Sequence, residues 1–200
     1  MPLIPADVVA RPLNALPFFL SLGTVPLALI GMRYGGLTVL LLPLYSWGLF
    51  TLLDLLTGLN DGNADPQTPE KDLVLYRLVT LIWFPLQFSL LCLALWYLPR
   101  AEHLSGLEKF GMMFGMGVMG GTIGINYAHE LMHQKSRLER WLGDLLLATV
   151  LYSHFRSEHL RVHHLYVGTP RDAVTARYNE GFHRFYPRVL RESLRSAWAA

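Results

Sequence analysis

The chain has 200 residues, with 17 Lys/Arg against 15 Asp/Glu, 52% hydrophobic residues and only 16% charged ones. Soluble domains carry about 25% charged residues, so the composition points toward lipid. A net charge of +2 with no basic run gives no electrostatic case for nucleic acid as a partner. The single cysteine, Cys92, excludes an internal disulfide and any cysteine-based zinc or iron–sulfur motif.

Two hundred residues suit one membrane domain, 1–200. Four segments are long enough to cross a bilayer, which takes roughly 20 apolar residues. The first covers about 15–32. It is longer than a signal-peptide core, lacks a small-residue cleavage site and is soon followed by another span, so it reads as retained. The second covers about 37–56. Trp47 and Phe50 project from it toward a substrate channel, toward neighbouring helices or toward lipid. Asp54 near its end is either a functional acid or a marker of the membrane boundary. The stretch Asn60–Glu70, with Pro66 and Pro69 and three acidic residues, reads as a solvated loop.

The third span covers about 78–98, with Cys92 as a small buried hydrophobe. Pro17, Pro26, Pro43 and Pro85 lie within the first three spans, where neighbouring helices can re-satisfy the freed carbonyls. The fourth, about 110–127, is rich in glycine: Gly111, Gly115, Gly117, Gly120, Gly121 and Gly124. Close helix packing in lipid accounts for these. The apolar run 141–152 is too short to span and suits an interfacial helix. The stretch 189–200 reads as the start of another helix. The fold class expected is all-α, a polytopic helical bundle.

Eleven of the 17 basic residues follow Tyr127. The positive-inside rule therefore predicts that 128–200 is cytoplasmic. Four crossings put the amino terminus and the loop 57–77 on that side, and His103 outside. Arg33 and Arg100 dissent mildly.

Six of the eight histidines fall between 129 and 164. The first group reads His129-Glu130-Leu-Met-His133, and the second Glu158-His159-Leu-Arg-Val-His163-His164. In each, two histidines stand four apart and share a helix face. Neutral imidazole is the commonest metal ligand and suits Fe, Zn, Cu and Ni. His129, His133, His159, His163 and His164 are thus predicted to converge on metal. The carboxylates Glu130 and Glu158 and the off-face His154 are candidates for supporting the ligands. Scattered interfacial histidines are the plainer alternative. A His-Glu-x-x-His zinc protease with Glu130 as base would leave the second group unexplained. A metal transporter would place its ligands near mid-membrane rather than past the fourth span.

On these residues the chain resembles the integral-membrane alkane monooxygenases, within the membrane fatty-acid desaturase/hydroxylase group. The match extends to Tyr152-Ser-His154-Phe-Arg156 before the second box, to Gly168-Thr-Pro-Arg-Asp172 and Thr175-Ala-Arg177 after it, and to Leu53-Asp54-Leu-Leu-Thr-Gly58-Leu-Asn60 at the end of the second span. The spacing His-x-x-x-His-His favours the hydroxylase branch over acyl desaturases.

The resemblance implies two non-haem iron ions (Fe2+/Fe3+) held almost wholly by histidine. O2 is the co-substrate, and an n-alkane becomes a primary alcohol. A rubredoxin-type carrier and its NAD(P)H-dependent reductase supply electrons. Some of the arginines Arg156, Arg161, Arg171, Arg177, Arg184 and Arg188 form a docking face for that carrier, or all of them only enforce topology. The setting implied is the cell (inner) membrane, with the boxes on the cytoplasmic side. Sister oxidases acting on fatty acids or aryl methyl groups share the scaffold. The family's third His box and a further lone histidine ligand are not in this chain, Val162 replaces a usual glycine, and Gln134 follows the first box where a basic residue is common. The expectation is a portion of a longer protein that alone binds at most one ion and is not a working oxygenase.

Overall fold

The structure is a computed structural model that describes residues 12–58, 69 and 73–199. The expected loop Asn60–Glu70 lies almost entirely outside the described residues. Among the described residues the chain is helical, with no strand. It divides into two compact units, Met1–Leu146 and Leu147–Ala200.

Three helices of the first unit are long and apolar enough to cross a membrane: α1 (Ala15–Tyr34), α2 (Gly36–Thr57) and α3 (Val74–Arg100). The fourth expected span is a continuous helix, α4, over 106–132. It has the length but not the apolarity of the other three, because its glycines contribute almost no hydrophobic surface. Many large apolar side chains on these helices point outward, Phe18, Leu37, Leu55, Leu95 and Phe110 among them, as lipid-facing surface requires. Cys92 is one of the exposed residues, not a buried one. A wholly apolar run does not tell the packed face of a span from the lipid face.

Close helix approach builds this unit. Gly35 and Gly36 adopt φ of +63° and +58°, which lets α1 turn directly into α2. A Cβ on Gly111 would stand 3.3 Å from Val39, and one on Gly115 would stand 3.1 Å from Pro43 and 3.3 Å from Leu42. Gly124 makes room for Gln87, whose Oε1 accepts the buried Trp83 indole N–H at 2.8 Å. Packing therefore explains three of the α4 glycines, as small residues do in lipid. Gly117 and Gly121 face open space. Ser105 and Glu108 form a capping box that starts α4.

The short helix α5 (Arg137–Thr149) begins earlier than the apolar run suggested. Its 13 residues span about 20 Å at 1.5 Å each, too short for a bilayer core. Two contacts hold it in the first unit. Gly143 comes close enough to α4 that a Cβ would lie 3.0 Å from the Ala128 carbonyl oxygen. Arg77 on α3 grips the buried Glu139 with Nε and Nη2, at 3.0 and 2.8 Å.

The second unit is built differently. A turn closed by Tyr152 N–H on the Leu147 carbonyl leads into α6, a helical run over 155–166. A loop follows, and α7 (Phe182–Ala199) packs back on the start of α6. Arg188 ties these pieces together. It is only 9% exposed, pairs with Glu180 at 2.6 Å and Glu192 at 3.1 Å, and donates to the carbonyls of Ala173 and Thr175. Arg188 is therefore an internal clamp. Arg177, though exposed, also pairs with Glu192, at 3.4 Å.

Candidate metal centre

The first histidine group sits on the regular end of α4. His129 lies in the α-helical segment Ile125–Met132, and His133 follows as its cap. Their rings are 4.8 Å apart between centroids. His129 is half-buried and His133 exposed. The i, i+4 spacing thus produces the neighbouring imidazoles it implies. Glu130 is turned to Gln134, whose amide donates to its carboxylate at 2.9 Å. Glu130 also borders a cavity of about 470 Å3 that includes Phe18, Tyr76, Thr80 and Tyr127.

The second group does not sit on a regular α-helix. His159–His163 is a π-helical segment, and the His164 N–H reaches back to the His159 carbonyl. A π turn aligns residues five apart rather than four, and such turns are frequent at functional sites. The rings of His159 and His164 are accordingly 4.5 Å apart, with their Nε2 atoms at 3.1 Å. His159 and His163 stack at 5.3 Å. Two imidazole nitrogens about 3 Å apart suit adjacent positions on one ion, since metal–nitrogen bonds are about 2 Å.

His163 turns its Nδ1 to Asp172, 3.0 Å away. Burial pushes the Asp172 carboxyl up. The Thr175 hydroxyl, the Val174 N–H and His163 outweigh this, and the net pKa is below its ordinary value. An ionised Asp172 would hold the Nδ1 proton and leave Nε2 to a metal, as carboxylates do behind metal-bound histidines. Sequence reasoning did not single out Asp172. The available signal was Asp-x-x-Thr in the loop after the box, a pattern that lets an aspartate cap its own turn.

Two neighbours of the box carry buried polar atoms without hydrogen-bond partners. His154 precedes α6, its ring edge-on to Tyr152 at 4.6 Å, and its Nε2 meets no hydrogen-bond partner. Burial lowers its pKa, which keeps it neutral. Glu158 is 0% exposed, and neither carboxylate oxygen has a hydrogen-bond partner. Burial, then the Asp172 charge, raise its pKa against a smaller opposing pull from His163. The donor set fits a metal: clustered imidazoles, one already backed by a carboxylate, beside an uncompensated acid.

The suggested channel residues stand apart from one another. Phe50 borders a cavity of about 390 Å3 with Phe18, Ser21, Thr122 and Tyr127. Trp47 is 52% exposed, meets Phe114 edge-on at 5.9 Å and borders a separate apolar groove. Asp54 is exposed, and its carbonyl accepts the Gly58 N–H at the helix end.

With its apolar spans and histidine groups, the chain is a multi-pass membrane protein, and residues 107–200 match the fatty acid desaturase family. Its curated relatives are alkane 1-monooxygenases. It is 36% identical to alkane 1-monooxygenase 1 of Pseudomonas aeruginosa, over 76% of this chain and 41% of that protein. It is 32% identical to alkane 1-monooxygenase 2 of Alcanivorax borkumensis, over 78% and 41%. With the Acinetobacter baylyi alkane 1-monooxygenase it shares 38% identity, over 69% and 33%. The chain spans about two fifths of the length of these relatives or less.

Proposed function

We propose that the chain supplies histidine ligands to the non-haem di-iron centre of a membrane monooxygenase that hydroxylates n-alkanes at the terminal carbon. The observation that carries this reading is the second box, with Nε2 atoms 3.1 Å apart on a π turn and His163 backed by Asp172. The named relatives supply the reaction class. His129, His133, His159, His163 and His164 hold iron, with Glu130, Glu158, His154 and Asp172 around them. When bound, the irons supply the redox chemistry that O2 activation and an unactivated C–H bond demand.

The protein's own part is to bind, orient and exclude water. The two cavities of the first unit share Phe18, Asn126 and Tyr127. The hydrocarbon lies along them, with Phe50 toward one end and Glu130, beside His129, at the other. Trp47 and Asp54 border neither cavity, so a role for them is confined to an outer approach. Electrons come from a rubredoxin-type carrier and its NAD(P)H-dependent reductase, docking on exposed arginines such as Arg171 and Arg184. The setting is the inner membrane, with 128–200 facing the cytoplasm and 1–200 forming part of one membrane domain.

The test is a chimaera in which this chain replaces the matching segment of the Pseudomonas aeruginosa relative. With 18O2, carrier and reductase, it should form labelled 1-octanol from octane, and H129A and H159A should each abolish this and lower iron content. A folded, iron-loaded chimaera that makes no octanol would overturn the alkane reading. Unchanged iron content in both variants would overturn the ligand assignment.

A further inference from the structure

We propose that Glu158 is itself an anionic ligand of the metal held by the second histidine box, so that the centre is not purely imidazole-bound. The inference rests on the iron-site reading above and changes its donor set. Glu158 directly precedes His159 on α6, is 0% exposed and has two carboxylate oxygens with no hydrogen-bond partner. An ionised carboxylate so enclosed is strongly disfavoured unless a cation or several donors face it. Asp172, the other acid of this pocket, shows the contrast. It is equally enclosed yet receives the Thr175 hydroxyl, the Val174 N–H and the His163 ring. Glu158 has no such donors, and it shares its surroundings with that second negative charge.

The π turn supplies the direction. Residues five apart share a face there, as His159 and His164 do with nitrogens 3.1 Å apart. The same register sets Glu158 over His163, and the two interact electrostatically. His163 commits Nδ1 to Asp172, so its Nε2 is the atom left to serve a metal. That register sets Glu158 on the same face as His163, with both of its oxygens unsatisfied. A carboxylate oxygen there would provide a hard donor and one compensating negative charge for a divalent cation. In a regular α-helix the i+4 neighbour of Glu158 would be Val162, which offers no ligand. The π turn therefore changes which side chains can act together.

The experiment compares the purified chain in detergent with E158Q and E158D. Anaerobic ferrous iron and, separately, Co2+ as an optical probe are titrated in. Metal-minus-apo infrared difference spectra follow the carboxylate stretches, and thermal unfolding of the apo forms is recorded. E158Q, isosteric but uncharged, should bind at least tenfold more weakly and lose a carboxylate difference band, while its apo form is as stable as wild type or more so. E158D should fall between them. Equal affinity in wild type and E158Q, or persistence of the band, would overturn the inference while leaving the iron reading intact. A parallel fall in apo stability and affinity would overturn it as well, since that marks a structural acid. If wild type takes up neither metal, the iron reading falls and the inference with it.

Discussion

The two units of this chain solve the problem of burying polar backbone and side chains in opposite ways. The first unit has polar links, Arg77 to Glu139 and Trp83 to Gln87 among them, but its helices approach one another through missing side chains, such as Gly115 against Pro43 and Leu42 and Gly143 against the Ala128 carbonyl. The second is cross-linked by charge, with Arg188 holding two glutamates and two loop carbonyls. In lipid, apolar contact between helices gains little over contact with acyl chains, so close packing must do the work. Near water, charge-assisted hydrogen bonds can fix an irregular loop that has little apolar surface to bury. The histidine groups follow suit. One rides the α-helical end of α4, just past a π segment at Gly120–Gly124, and the other a π turn steadied by a polar loop.

The sharpest way to break the comparison is Arg188→Ala. It strands the half-buried Glu180 and the carbonyls of Ala173 and Thr175. Removing the guanidinium leaves these acceptors without their donor and the carboxylate without its counter-charge. Hydrogen exchange should show the loop over 168–181 and α7 losing protection while α1 to α3 keep theirs. Uniform loss across both units would mean that they do not differ as described. Acid should act on the same clamp. Arg188 and the Arg177 N–H hold Glu180 down to about 2. A depressed carboxyl contributes stability that is fully present above its unfolded pKa of about 4.3 and is lost as pH falls toward 2. Protection in the second unit should therefore decline over that window, and R188A should flatten the decline.

Next in size is a pair of glycine substitutions on α4. Gly124→Val forces a side chain into the space of Gln87, which is fixed by Trp83, and overpacking of this kind costs about 1–3 kcal/mol. Gly117→Val meets nothing within 4 Å and should be neutral or slightly stabilising. Unfolding in detergent distinguishes them; equal effects would deny that packing explains the glycines selectively. Asp172→Asn then tests the polar half. The His163 ring loses its anionic partner, and removing such a partner commonly costs 10–100-fold in metal affinity. Titration with Co2+ should show that loss with little change in metal-free stability.

What could be read from sequence follows the same division. Three spans were legible because a long apolar run needs no context to be recognised. The fourth was legible as a helix but only weakly as a span, since glycine is neutral on any hydropathy scale. Within spans, orientation was not legible, and Cys92 faces outward. The histidine spacing located both groups but carried no sign of the π turn, because hydrogen-bond register is set by backbone geometry rather than by side-chain pattern. Asp172 and Arg188 were visible as charges. Their burial was not, since it depends on the fold of the loop that surrounds them.

The smallest expected effect separates two kinds of arginine in the second unit. Arg188 is paired internally and the exposed Arg177 is tied to Glu192, whereas among the described residues the exposed Arg171 and Arg184 have no such carboxylate link, Arg171 lying over the Tyr166 ring at 5.5 Å. If exposed arginines steer an acidic electron carrier, R171Q/R184Q in the active chimaera should slow carrier-dependent turnover a few-fold at low salt. Rates should converge with wild type above about 0.3 M salt, where screening shortens the reach of surface charge. Saturating carrier should recover most of the rate, because steering acts on encounter rather than on the site. Hydrogen exchange should be unchanged, since neither residue braces the loop. A rate deficit that ignores salt would remove these arginines from docking and leave them as markers of the membrane's positive side.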